Sequence, residues 1–133
     1  MVTTLEAQWI VGFTDGEGCF HIGINKNKTM KLGYQVLPEF TVVQHERDIQ
    51  ILYALKDYFK TGVVRSNNEE RMCYRVRDRK ALMENIVPFF EKHSLKTKKK
   101  LDFIKFRTVL LMMERQEHLT QQGLEQIRQI RNT

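Results

Sequence analysis

The hydrophobic period changes repeatedly along the chain, and each change marks a predicted element. Thr3-Thr4-Leu5-Glu6 has the form of a capping box, with Thr3 as N-cap and Glu6 reaching back. A helix is expected from there to about Thr14, with Leu5, Trp9 and Phe13 on one stripe and Ile10 beside it. The tetrapeptide Asp15-Gly16-Glu17-Gly18 ends it. Over residues 19–25 the period becomes two: Phe20, Ile22 and Ile24 face one way, and Cys19, His21, Gly23 and Asn25 the other. Residues 25–28 read as a ribbon tip. Over residues 32–44 Tyr34, Val36, Pro38, Phe40 and Val42 alternate with Gln35, Leu37, Glu39, Thr41 and Val43. Pro38 removes a ladder donor and therefore suits an edge or a bulge.

Residues 46–60 return to the helical period, with Ile49, Leu52, Tyr53, Leu55 and Phe59 as the buried stripe. A short strand over 63–66, a hairpin turn at Asn67-Asn68 and a strand over 71–77 follow. Met72, Tyr74 and Val76 face inward; Arg71, Cys73, Arg75 and Arg77 face outward. Asp78 caps a predicted helix from Arg79 to about Lys92, in spite of Pro88. A lysine-rich segment over 94–100 leads into a helix ending near Glu114. A last helix starts near Thr120, with Leu124, Ile127 and Ile130 on one face. The order is αββαββα plus a C-terminal helix, an α+β pattern without linker or repeat, so residues 1–133 read as one domain.

Composition narrows the function classes. The 133 residues are 41% hydrophobic and 29% charged, enough for one core. No apolar run approaches the ~20 residues of a membrane helix. The first residues lack the basic region of a secretory signal, so the protein is expected to work inside the cell, in the compartment that makes it. Cys19 and Cys73 show no paired spacing, which points to reduced thiols and away from zinc. His21, His45, His93 and His118 are scattered, and the six methionines read as core filler.

The net charge is +6, and its placement is more telling than its size. Five lysines and no acid occupy 92–100, and four arginines occupy 62–77. The outward sheet positions carry His21, Asn25, Gln35, Thr41, Arg65, Arg71, Arg75 and Arg77, side chains that can hydrogen-bond base edges in a groove. A sheet with one apolar and one basic face suits a surface that lies on nucleic acid; the alternative is a solvated face.

Ile10-Val11-Gly12-Phe13-Thr14-Asp15-Gly16-Glu17-Gly18 resembles the nine-residue signature of LAGLIDADG homing endonucleases. Three further segments resemble that family in the same order: Gln44 to Asp48, Ser94 to Lys99, and His118 to Leu124. Val11 departs from the usual alanine, and Glu17 stands where aspartate is commoner. The resemblance implies an αββαββα fold whose curved antiparallel sheet forms a DNA-binding saddle. It implies a site-specific endonuclease that hydrolyses both strands of a long, pseudo-palindromic double-stranded DNA site. The cofactor implied is Mg²⁺, with Mn²⁺ able to substitute, and no small-molecule cofactor or membrane is involved. An organelle matrix or a prokaryotic cytoplasm is the implied compartment.

The motif occurs once, so a C₂ homodimer is expected, paired through Val11, Gly12, Asp15 and Gly16. Gly12 and Gly16 are four apart on one side of the helix and permit close approach. Glu17 and the Gly16 carbonyl are the implied metal ligands; Glu17, Gln44 and Lys96 are the implied catalytic residues. Asp15 is expected to brace the helix end or the interface. Lys98 and Lys99 are expected on phosphates, with Asn67 joining the outward side chains on DNA. The alternative within the same fold is a non-cleaving nucleic-acid binder, either an intron-splicing maturase or a DNA-binding regulator.

Overall fold

The two predicted hairpins join into one four-stranded antiparallel sheet in the computed structural model, which describes residues 3–133. Helix α1 (Ala7–Glu17) leads into β1 (Gly18–Lys26) and β2 (Tyr34–His45). Helix α2 (Ile49–Phe59) precedes the second hairpin, β3 (Val63–Asn68) and β4 (Arg71–Val76). Helices α3 (Arg79–Ala81) and α4 (Val87–Lys92) flank a π turn, and α5 (Lys99–Glu114) and α6 (Gln121–Asn132) follow. The strand order is β1-β2-β4-β3, with Gly18 opposite Val42 and Phe40 opposite Val76. Helix α5 packs on β1 and β2, while α2 packs on β2, β4 and β3.

The period-two reading holds on both central strands. Phe20, Ile22, Val36, Phe40, Val42, Tyr74 and Val76 are buried beneath the helices. Phe20 anchors this layer, with ring centroids 5.0 Å from Phe40, 5.4 Å from Phe90 and 5.3 Å from Phe106. The opposite face is more open, although Cys73 is buried there.

Pro38 is tolerated because β4 pairs with β2 only from Phe40 onward, so β2 is locally an edge there. Pro88 falls in the first turn of α4, just after the π turn (Leu82–Ile86). The helix thus absorbs a residue that cannot donate to its ladder. Asp78 caps as predicted, its carboxylate accepting from the Ala81 N–H at 3.2 Å.

Several expectations are corrected. No capping box forms at Thr3: α1 starts at Ala7, Glu6 is extended (φ −95°, ψ 152°), and no side chain caps it. Leu5 packs against the core from this extended lead-in. Helix α1 also runs past Thr14, through Asp15, Gly16 and Glu17. Asn67 and Asn68 belong to β3, and the tight turn falls on Glu69 (φ 50°) and Glu70. Tyr53 is 52% exposed and lies outside the buried stripe of α2, where Ala54 takes its place.

Helix α6 begins where Thr120 Oγ1 accepts from the Gly123 N–H at 3.0 Å. A Cβ on Gly123 would overlap the Glu117 carbonyl oxygen, a backbone atom that cannot swing aside. Gly123→Ala is therefore expected to destabilise the fold by about 1–3 kcal/mol, through overpacking. Thermal denaturation checks this; an unchanged Tm would show that the turn before α6 relaxes freely.

Candidate functional site

The end of α1 is built around one buried polar residue. Thr14 is 1% exposed, and the Gly18 N–H donates to its carbonyl, closing the helix. Gly18 is needed for space: a Cβ there would lie 2.7 Å from Thr14 Cγ2 and 2.9 Å from its carbonyl oxygen. The chain then turns directly into β1.

The two carboxylates on either side of Gly16 have different surroundings. Asp15 faces its own chain: Oδ2 accepts from the Lys96 N–H at 2.9 Å, and Oδ1 accepts from the Thr97 N–H at 3.1 Å and the Thr97 hydroxyl at 2.8 Å. Partial desolvation pushes the Asp15 pKa up. The Lys96 and Thr97 hydrogen bonds and the Lys96 charge outweigh it and hold the group below the usual carboxylate range. Asp15 thus braces the lysine loop. Glu17 is exposed, with no hydrogen bond or ion pair among the described residues.

The outer side of α1 is open. Gly12 and Gly16 have no atom within 4 Å of a would-be Cβ. Trp9 and Phe13 stack beside them, centroids 4.8 Å apart, and Trp9 is 44% exposed where a buried stripe was expected. Val11 departs from its expected interface place: it is 2% exposed and packs in the chain's own core. The bulk of this valine is therefore turned away from the open face.

The basic loop lies against this junction. The Lys96 ammonium donates to the Ser94 carbonyl at 2.6 Å, and Lys98 is exposed. Lys99 differs from its expected phosphate-gripping role: it is half-buried, and its Nζ donates to the Gly18 carbonyl. Gln44 sits two residues beyond Val42, the partner of Gly18, so it flanks the α1–β1 junction. Its Oε1 accepts from the His45 N–H at 3.1 Å. The His45 ring accepts from the Arg47 N–H at Nδ1, which leaves Nε2 as donor to Glu70 at 3.0 Å.

The outer sheet face brings most of the predicted side chains together. A groove there is lined by Glu39, Thr41, Arg65, Asn67, Arg75 and Arg77, among others. Thr41 stands between Cys19 and Arg75 in register. His21, Asn25 and Gln35 lie to one side on the β1–β2 ribbon, and Gln35 accepts from Asn27 Nδ2 at 3.3 Å. Arg71 lies at the other end, opposite His45. Arg77 is not free: its Nε donates to Glu39 Oε2 at 2.8 Å. Burial pushes the Cys73 thiol pKa up, which keeps it neutral and unsuited to metal. Two participants escape the sequence reading. Thr97 carried no signal of its clasp, whereas the alternation already put Glu39 on the outer face.

Among the described residues no three of His, Cys, Asp and Glu cluster as a metal site. One exposed, unpartnered carboxylate at a helix end fits a hard cation that takes its remaining oxygens from water, phosphate or a second chain.

Known proteins share this fold. The family profile for LAGLIDADG endonuclease matches residues 10–110. The crystal structure of a homing endonuclease, I-TnaI, is 58% identical, with TM-score 0.94 over 97% of this chain and 87% of that one. The I-SmaMI LAGLIDADG homing endonuclease bound to cleaved DNA is 37% identical, with TM-score 0.92 over 95% of this chain and 42% of that one. A 50.9 kDa protein in ND4 intron 1 of Podospora anserina is 34% identical over 121 residues, 90% of this chain. The chain spans only 27% of that relative's length. With the profile matched across α1, both hairpins and α5, and a backbone that superposes on I-TnaI nearly end to end, the chain belongs to the LAGLIDADG endonuclease family.

Proposed function

We propose that this chain is a homing endonuclease domain that pairs as a C₂ homodimer and cuts both strands of a long pseudo-palindromic double-stranded DNA site. The observation that carries the reading is the unpartnered Glu17 carboxylate at the end of a helix whose outer side is bare at Gly12 and Gly16. Bare glycines let two such helices meet backbone to backbone, which brings two Glu17 carboxylates together. The outer sheet face then lies along the DNA, its arginines and amides toward the groove.

Endonucleases of this family use a divalent metal ion. Mg²⁺ is the ion we assign here, with Mn²⁺ able to substitute; when bound it supplies charge stabilisation on the phosphate and activation of water. Glu17 and the Gly16 carbonyl would hold it. Gln44, beside the junction, orients the attacking water. Lys96 carries a positive charge toward the phosphoryl oxygens as negative charge builds there. Asp15 keeps the Lys96 backbone in place. Lys98 grips a phosphate. Like the ND4-intron relative, the chain is proposed to be intron-encoded, working in an organelle matrix or a prokaryotic cytoplasm.

Incubating a randomised palindromic duplex library with Mg²⁺ tests the reading. Cleavage should concentrate on one family of sites. Tight, selective binding without cleavage in Mg²⁺ or Mn²⁺ would shift the assignment to a non-cleaving nucleic-acid binder. Binding should also weaken steeply with salt, and Lys98→Ala, which removes one phosphate contact from each protomer, should lower the log–log salt slope of the dimer by about 1.8. A slope unchanged in that variant would remove Lys98 from the phosphate contacts.

A further inference from the structure

Glu39 is out of place on a face proposed to lie on phosphates. The groove there is lined by three arginines, Arg65, Arg75 and Arg77, and by this one acid. A carboxylate at that position repels DNA, so its presence calls for a compensating role.

Its geometry supplies one. Glu39 faces His21 across β1 and β2, and Phe40 faces Val76, so Arg77 follows at the level of Glu39 as the chain leaves β4. Glu39 Oε2 accepts from Arg77 Nε at 2.8 Å. The acid side chain is 19% exposed and the arginine 46%, so the carboxylate lies low and the guanidinium stands above it. A bond at Nε leaves both terminal Nη groups free. They form a two-pronged fork, already held in one orientation before anything binds. Side-by-side acceptors match such a fork, and among base edges in the major groove guanine offers them as O6 and N7.

We propose that Glu39 is a positioning residue that aims Arg77 at a guanine, one in each half of the DNA site. The inference rests on the DNA-binding reading given above. Glu39 itself makes no base contact. It limits the rotamers of Arg77, so less freedom is lost on binding and a wrong base meets a fork that cannot swing away. An ordinary surface ion pair between the same residues would do neither.

The test is selection of bound duplexes from a randomised palindromic library, without divalent metal, so that cleavage plays no part. Wild-type protein should enrich guanine at one symmetric pair of positions. Arg77→Ala should lose that preference, a loss of about 5- to 150-fold in discrimination. Glu39→Ala should lose it at the same positions while binding random DNA more tightly, because one negative charge is gone. Glu39→Gln also lacks the charge but keeps an acceptor oxygen for Nε, and should retain part of the guanine preference. The double variant should discriminate no worse than Arg77→Ala alone, as coupled residues do. Equal Tm values would show that the variants stay folded.

A Glu39→Ala protein with the wild-type preference would overturn the inference and leave the DNA-binding reading standing. Preference lost at different positions from those of Arg77→Ala would make Glu39 a direct reader and overturn its positioning role. Equal loss in the Gln and Ala variants would reduce the effect to charge and also overturn it. A wild-type protein that enriches no sequence would overturn the DNA reading and the inference with it.

Discussion

A Glu17→Gln protein is expected to bind its DNA site and leave both strands intact. The substitution keeps the size of the side chain and its capacity for hydrogen bonds; it removes the charge. Glu17 is exposed and holds nothing else in place, so the fold has no stake in it. The loss therefore falls on the cation alone. Mg²⁺ takes oxygen ligands and few from protein, so removing a carboxylate from so sparse a donor set should bring cleavage to background. DNA affinity should hold or rise, since one fewer negative charge faces the phosphates. Gel shift and plasmid linearisation, run in parallel, separate the two effects. Cutting at the wild-type rate would remove Glu17 from the mechanism.

Gly12→Leu should separate the dimer into folded monomers. The open space around Gly12 is what makes this outcome specific. Within one chain a Cβ at this position meets no atom within 4 Å, so the monomer should keep its helix and stay folded. Between two helices that meet at their glycines, each leucine would push the backbones apart. Double-strand cutting should disappear with the pairing, since each chain carries one Glu17. Sedimentation of wild type and variant at matched concentration decides it. A variant that stays dimeric, or a wild type that is monomeric on DNA, would place the interface elsewhere or abolish it.

Much of the fold was legible because the buried faces of β1 and of most of β2 are apolar. Phe20 to Ile24 and Val36 to Val42 alternate cleanly, and period two has no helical counterpart. The ends of elements were harder. Thr3-Thr4-Leu5-Glu6 satisfies the capping pattern, yet the side chain of Leu5 finds its packing in an extended lead-in, and tertiary contact overrides the local signal. Asp15-Gly16-Glu17-Gly18 looks like a helix breaker throughout, but only its last residue leaves the helix, and Thr14 leaves no room there for a Cβ. Trp9 shares an apolar stripe with Leu5 and Phe13 in sequence, yet it is 44% exposed on the open side of α1.

The site was legible in its residue types and less so in its pairings. Gln44 flanks the end of α1, and the lysine loop is tied to that end through Asp15, a tie that the resemblance did not name. Lys99 differs because a run of like residues cannot say which member turns inward. Its Nζ meets the Gly18 carbonyl, a partner 81 residues away in sequence. The Arg77–Glu39 pair spans 38 residues and could be found only once the strand order was known.

The Asp15 clasp has a consequence for how the protein is made. It joins α1 to residues 81 and 82 positions later in the chain. Closing so long a loop carries an entropic cost that local turns do not, so the clasp belongs to a late stage of folding. The inner sheet face also waits for α5, since Phe103 and Phe106 supply part of the cover over Phe20. A ribosome that has released both hairpins has therefore delivered the strands of the sheet, but neither the helix that covers them nor the loop that the clasp braces. Chains ending before that loop lack Lys96 and its brace, so on the proposed mechanism they are expected to leave DNA uncut.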